Sequence, residues 1–374
     1  MKVLISVFTV LFAVASFGQM TPAKSSKKIQ IAILFDTSNS MDGLIEQAKA
    51  TIWQIVNAAS KLTIDNEVPT LEIALYDYGN SGITDRPNYI RKQCDLISDL
   101  DSISGLLFGL RTNGGSEYCA AVIESAVAEL KWSTDPQDMR LIYISGNEMF
   151  NQGPVNYLTT LPTAANKGFF INTIYCGPYD HGVTELWYDA AQKAQGNYFN
   201  IDASKAVAHI NTPYDKEIQQ YNDSLNSTYM GYGSSGYYRA EKQKAEDRNA
   251  YGKGEAVASE RAMAKSKAAY KNSEWDVVDA VEEKKLNLDS LKKDELPLEL
   301  RDKTKEEQEK IIQEKAEKRK SYQEKINTLA KDRETYITEE RKKQADANKE
   351  QNLGSTIIQS MNKSAETKGY KVVE

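Results

Sequence analysis

Between Ile29 and Ile201, short apolar runs alternate with amphipathic stretches, and this alternation restricts the chain to an α/β architecture. The run Ile29–Phe35 has the length and β-branched content of a buried strand. It leads through Asp36 into a predicted helix from about Gly43 to Lys61, where Leu44, Ile45, Ala48, Ile52, Ile55, Val56 and Ala59 recur every three or four residues. Further strands are expected at Thr70–Tyr78, Met139–Ser145, Gly168–Cys176 and Asn197–Ile201, with a short edge strand at Asn88–Cys94. Helices are expected at Leu96–Leu110, Ser116–Leu130, Leu158–Asn166 and Thr184–Ala194. This order predicts a doubly wound, mostly parallel sheet covered on both faces. Right-handed crossovers then bring the functional loops to the carboxyl ends of the strands.

Beyond about Lys205 the pattern changes to helices rich in charge. A capping box at Thr304 and Glu307 predicts a long helix towards Asp346. Tyr322, Leu329 and Tyr336 sit seven apart on it, and Ile312 and Ile326 form a second seam that Arg319 and Arg333 interrupt. Such a seam supports at most a short or imperfect coiled coil, and most of the surface should be solvated. The chain has 374 residues and a net charge of −6, and neither half offers the strongly basic face that nucleic-acid binding needs. Met1-Lys2, an apolar run to Phe17 and small residues near its end read as a secretory leader cleaved between Ser16 and Met20. The expected layout is a leader over 1–19, a linker over 20–28, an α/β domain over 29–205 and an all-helical region over 206–374. After cleavage the protein is expected to have no transmembrane segment and to be exported to the periplasm, the cell surface or the medium. The three cysteines lack CxxC spacing and only His181 and His209 could add imidazole, so a structural zinc site is not expected.

The loop after the first strand reads Asp36-Thr37-Ser38-Asn39-Ser40-Met41. A carboxylate and two hydroxyls at alternate positions are hard oxygen ligands suited to Mg²⁺, with Mn²⁺ or Ca²⁺ as alternatives. With strand, loop, Met and amphipathic helix in this register, the segment Ile29–Ile201 resembles the von Willebrand factor type A domain family, whose metal-ion-dependent adhesion site opens with Asp-x-Ser-x-Ser. The resemblance is to an exported bacterial branch with a charged helical C-terminal region. It implies a metal set of Asp36, Ser38, Ser40, Ser116 and Ser145. Ser116 follows Gly114-Gly115, where the family carries Thr, with Thr112 as second choice; as an alternative, Ser116 simply caps the next helix. Ser145 stands where the family usually has Asp, and Asn147 or Glu148 could compensate for the missing charge.

The resemblance implies a binding module in which a partner protein's carboxylate fills an open position on the cation. One alternative is a metal-free envelope scaffold that acts through its helical tail, which Ser145 favours. A phosphatase of the haloacid dehalogenase type would want a second Asp where Ser38 stands, and neither His lies in a triad context. The chain is therefore expected not to be an enzyme. Within this fold Cys119 opens a helix at the rim and Cys176 ends a strand there, so the two are expected to pair as a disulfide and brace the site.

Overall fold

The computed structural model describes residues 27–83, 87–343 and 352–373, so the expected leader and most of the linker lie outside the described residues. Six strands form the central sheet: β1 (Lys28–Asp36), β2 (Thr70–Tyr78), β3 (Ile90–Ile97), β4 (Met139–Gly146), β5 (Phe170–Cys176) and β6 (Tyr198–Ile201). Their order is β3-β2-β1-β4-β5-β6. Only β3, the expected edge strand, runs antiparallel to its neighbour. The chain winds outward from β1 in both directions, and β1 is buried on both faces. Ile31, Ile33 and Phe35 join one core cluster, and Ala32 and Leu34 the other.

Between strands run α1 (Asp42–Ala59), α2 (Leu100–Gly109), α3 (Cys119–Glu129), α4 (Tyr157–Asn166), α5 (Tyr179–Thr184) and α6 (Trp187–Lys193). The single helix expected over Thr184–Ala194 is in fact α5 and α6, separated at Leu186, which has a left-handed φ of 69°. Residues of α1 and α2 pack into the core that contains Ile31, and residues of α3, α4 and α6 into the core that contains Leu34.

The helical region comprises α7 (Asp215–Asn226), α8 (Gly236–Tyr251), α9 (Glu255–Lys265), α10 (Val277–Glu282), α11 (Lys305–Lys343) and α12 (Leu353–Thr367). The last of these corrects the expected division at residue 205. Leu353, Ile357, Met361 and Ala365 of α12 complete the same core as α1 and the sheet. Gly354 makes the approach feasible, because a Cβ there would stand 2.5 Å from Cβ of Thr51 on α1. Ser360 donates to the Tyr143 hydroxyl on β4 at 2.8 Å, and Lys371–Val372 pairs antiparallel with Leu62–Thr63. Residues 353–372 therefore belong structurally to the sheet domain. No helix among the described residues is long and apolar enough to cross a membrane.

The capping box of α11 forms as expected, with the Thr304 amide donating to Glu307 at 2.9 Å and the Glu307 amide to Thr304 at 3.3 Å. Ile312, Arg319, Ile326 and Arg333 lie seven apart and are all buried. The two arginines do not interrupt the seam; they are part of it. Arg319 pairs with Asp276 at 2.6 Å and with Asp279, while its guanidinium stacks over the Tyr229 ring. Arg333 pairs with Asp215 at 2.8 Å and Glu260 at 2.7 Å. A third buried network fixes the helical body to the sheet domain. Arg261 reaches Asp101 on α2 at 2.7 Å and Asp247 on α8 at 2.5 Å, and it lies over the Trp53 ring of α1. Lys265 joins Asp247 at 3.0 Å.

Candidate metal site

The first ligand candidate is positioned by the strand that the sequence marks most clearly. Asp36 ends β1 at the centre of the sheet, opposite Tyr78 on β2, and is fully buried. Its Oδ1 accepts the Ser38 amide at 2.7 Å, which folds the loop back over the strand end. The Thr37 amide and hydroxyl both donate to the Tyr78 carbonyl, at 2.9 and 3.2 Å, and pin the loop to β2. The turn places the Ser38 and Ser40 hydroxyls 3.3 Å apart, Ser38 buried and Ser40 exposed. Asn147, just past β4, meets Ser40 at 3.2–3.3 Å.

The loop carrying Ser116 reaches the same end of the sheet. The Asn113 amide donates to the Thr37 carbonyl at 2.9 Å, and the Ser81 amide to the Gly114 carbonyl at 2.8 Å. The Thr112 hydroxyl is bound to Asp42 at 2.5 Å, on the outer side of the loop. Ser116 does not cap the following helix, which begins at Cys119 with Tyr118 as its N-cap residue. Ser145 is buried at the end of β4 beside Phe35, but its hydroxyl is turned to the Leu34 carbonyl at 3.5 Å. Glu148 is exposed at the mouth of the site.

Sequence reasoning passed over Glu117. Its side chain is 6 % exposed and lies across Gly79, where a Cβ would stand 2.6 Å from Glu117 Cγ and 2.9 Å from Asp36 Oδ1. Gly79 itself has a φ of +73°, so both its backbone and the space above it require glycine. Burial pushes the Asp36 carboxyl up to about 7, with Glu148 adding to the rise and Ser38 opposing it. Burial likewise pushes Glu117 up to about 8, reinforced by Asp36 and Glu148 and opposed by the Ser38 hydroxyl. A Glu directly after a Ser in a glycine-rich loop reads as a solvated residue. The one available signal was that Gly114-Gly115 can carry the next side chains inward.

Whether these residues suit a cation can be judged from their unmet bonding. Asp36 Oδ2 and Glu117 Oε2 are buried without a partner, and they are the only carboxylate oxygens in that state among the described residues. A buried, unpartnered carboxylate oxygen is costly, and a divalent ion compensates it directly. Carboxylate and hydroxyl oxygens are the donor set of a hard cation. No group of three His, Cys, Asp or Glu side chains is arranged to hold a metal among the described residues, so the hydroxyls of the Asp36–Met41 loop are essential to any such site. The residues fit.

The expected disulfide does not form, and all three cysteines are free. Cys119 is buried in the core on the α3 side of the sheet, 3.6 Å from the Tyr78 hydroxyl. Cys176 packs against the core on the opposite, α1 side. Both approach the rim, but the sheet separates them. Strand ends alone do not fix which face of the sheet each thiol takes. Burial raises all three thiols above their ordinary value, Cys94 to about 11.

No protein-family model matches the chain, and no curated protein matches it. Among solved structures, the SpRpn10 VWA domain is 17% identical over 47% of this chain and 88% of its own length, with a TM-score of 0.35. BatB from Bacteroides thetaiotaomicron is 16% identical over 46% of this chain and 90% of its own, with a TM-score of 0.35. Proximal thread matrix protein 1 from the mussel byssus, solved with a zinc-occupied MIDAS motif, is 16% identical over 47% of this chain, with a TM-score of 0.34. The chain spans 42% of that protein's length. With β1 central in a sheet of order β3-β2-β1-β4-β5-β6, one antiparallel edge and the Asp36–Met41 loop at the switch point, the sheet domain of this chain is von Willebrand factor type A-like in fold.

Proposed function

We propose that this chain is an exported protein-binding module that presents a divalent cation, Mg²⁺ first and Mn²⁺ or Ca²⁺ as alternatives, to a partner protein. The observation that carries this reading is Asp36: fully buried at the end of the central strand, with one oxygen unpartnered and two serine hydroxyls folded over it. Asp36, Ser38 and Ser40 supply the core of the site, and Ser116 the neighbouring loop. Asn147 and Glu148 line its mouth and remain alternates, as does Thr112 if its bond to Asp42 opens. Ser145 contributes only if its hydroxyl turns away from Leu34.

Asp36, Ser38 and Ser40 would hold the cation, and Mg²⁺ there would supply an open position for a partner carboxylate on the exposed side near Ser40. A groove of about 450 Å³ opens beside the loop, lined among others by Asp42, Lys49, Phe108, Arg111 and Thr112. It gives a partner peptide both apolar and charged contacts next to the cation. Catalysis is not part of the reading.

A second reading, a metal-free scaffold acting through the helical region, is favoured by the Ser145 hydroxyl bond to Leu34. Pull-down from an envelope extract with the full chain, with and without chelator, separates the two. Partner capture lost in chelator and in Asp36→Ala supports the cation reading. Capture that persists equally in both supports the scaffold.

A further inference from the structure

Three features around Gly79 concern the carboxylate that the resemblance leads one to expect at position 145 and that this chain lacks. First, Glu117 and Asp36 approach each other over the bare Cα of Gly79, so their carboxylates share one buried space. Second, each has a buried oxygen with no hydrogen-bond partner. Third, the Ser38 amide donates to Asp36 Oδ1 at 2.7 Å and folds the loop that carries the Ser38 and Ser40 hydroxyls back over this strand end. Ser145, by contrast, directs its hydroxyl to a backbone carbonyl. Neither Asp36 nor Glu117 forms an ion pair among the described residues. Two carboxylates enclosed without a positive charge form a cavity whose missing component is a cation.

We propose that Glu117 is the second carboxylate ligand of the rim cation, supplied by the loop after Gly115 in place of the acid absent at Ser145. The proposal rests on the cation reading above. It makes the Ser116–Glu117 loop, rather than the end of β4, the element that sets affinity. It also accounts for Gly79, since any side chain there would displace Glu117 from Asp36.

The test uses the chelator-stripped full chain, titrated calorimetrically with Mn²⁺ and melted with and without the ion. The variants are Asp36→Ala, Glu117→Gln and Glu124→Gln, the last neutralising an exposed acid of α3 as a control. The expected results are saturable Mn²⁺ binding by the wild type and Glu124→Gln, none by Asp36→Ala, and at least tenfold weaker binding by Glu117→Gln. In chelator and above the raised value of about 8, where Glu117 is charged, Glu117→Gln should also melt above the wild type, because a buried charge has been removed and the amide fills the same space. Equal Mn²⁺ affinity in wild type and Glu117→Gln, with Asp36→Ala inactive, overturns this inference and leaves the cation reading standing. Weaker binding together with a lowered melting temperature in chelator assigns Glu117 a structural role and also overturns it. No Mn²⁺ binding by the wild type removes both.

Discussion

In the helical body, Asp215, Asp247, Asp276 and Glu260 lose their water to Arg261, Lys265, Arg319 and Arg333, whereas at the sheet rim Asp36 and Glu117 lose theirs without gaining a cationic side chain. Both regions bury acids inside one chain, so the contrast is not a matter of composition. In the helical body each acid is held by a partner of fixed geometry, and the result is a rigid junction with α1 and α2. At the rim Asp36 is held by the Ser38 amide and Glu117 lies over Gly79, and neither gains a cationic partner. A region that is complete by itself is structural; one that lacks a charge is arranged to receive it.

Several variants would break or sharpen this contrast. The largest effect is expected from Arg333→Ala, which strands Asp215 and Glu260 in the interior and should cost about 3–5 kcal/mol in urea unfolding. A loss below 1 kcal/mol would mean that the helical body is not held by its ion pairs. Ile357→Ala should cost about 3 kcal/mol by opening the core that α12 shares with the sheet. An unchanged midpoint would detach α12 from the sheet domain. At the rim the sign reverses: Asp36→Asn, measured in chelator above the raised value of about 7, should raise stability by about 1 kcal/mol or more, because it removes an uncompensated buried charge and keeps an acceptor for the Ser38 amide.

Acid offers a smaller test. Burial disfavours the charge on Asp247, but Lys265 and Arg261 overcome this and hold its carboxyl below the usual range. A depressed folded value means that its stabilisation is complete above the unfolded value of about 4 and drains away as pH falls further. Unfolding midpoints at pH 5 and pH 3 should therefore diverge less in Asp247→Asn than in the wild type. Smallest of all, Lys61→Ala removes a half-exposed pair with Glu334 and should change stability by less than about 1 kcal/mol.

The sheet and the first site loop were legible because their signals are local. Buried strands carry unbroken apolar runs, α1 carries its stripe, and Asp36, Ser38 and Ser40 alternate along one short turn. Glu117 was not legible, since its burial depends on Gly79, nearly forty residues earlier and on another strand end. Arg319 and Arg333 read as breaks because a seam of apolar residues was the template, while their partners Asp276 and Asp215 lie on distant helices. α12 looked like the end of a tail, although Leu353, Ile357, Met361 and Ala365 already formed a stripe. Its destination on α1 and β4 is a long-range contact that periodicity cannot supply. The cysteine pairing failed for a related reason: both residues approach the rim, but the faces they take depend on strand register.

The central claim is that the rim is completed by a cation, and Mn²⁺ electron paramagnetic resonance on the chelator-stripped full chain addresses it directly. The free-ion signal should be lost up to one equivalent of Mn²⁺ per chain, excess Mg²⁺ should restore it, and Asp36→Ala should leave it untouched. A free Mn²⁺ signal undiminished by the wild-type chain would contradict the account.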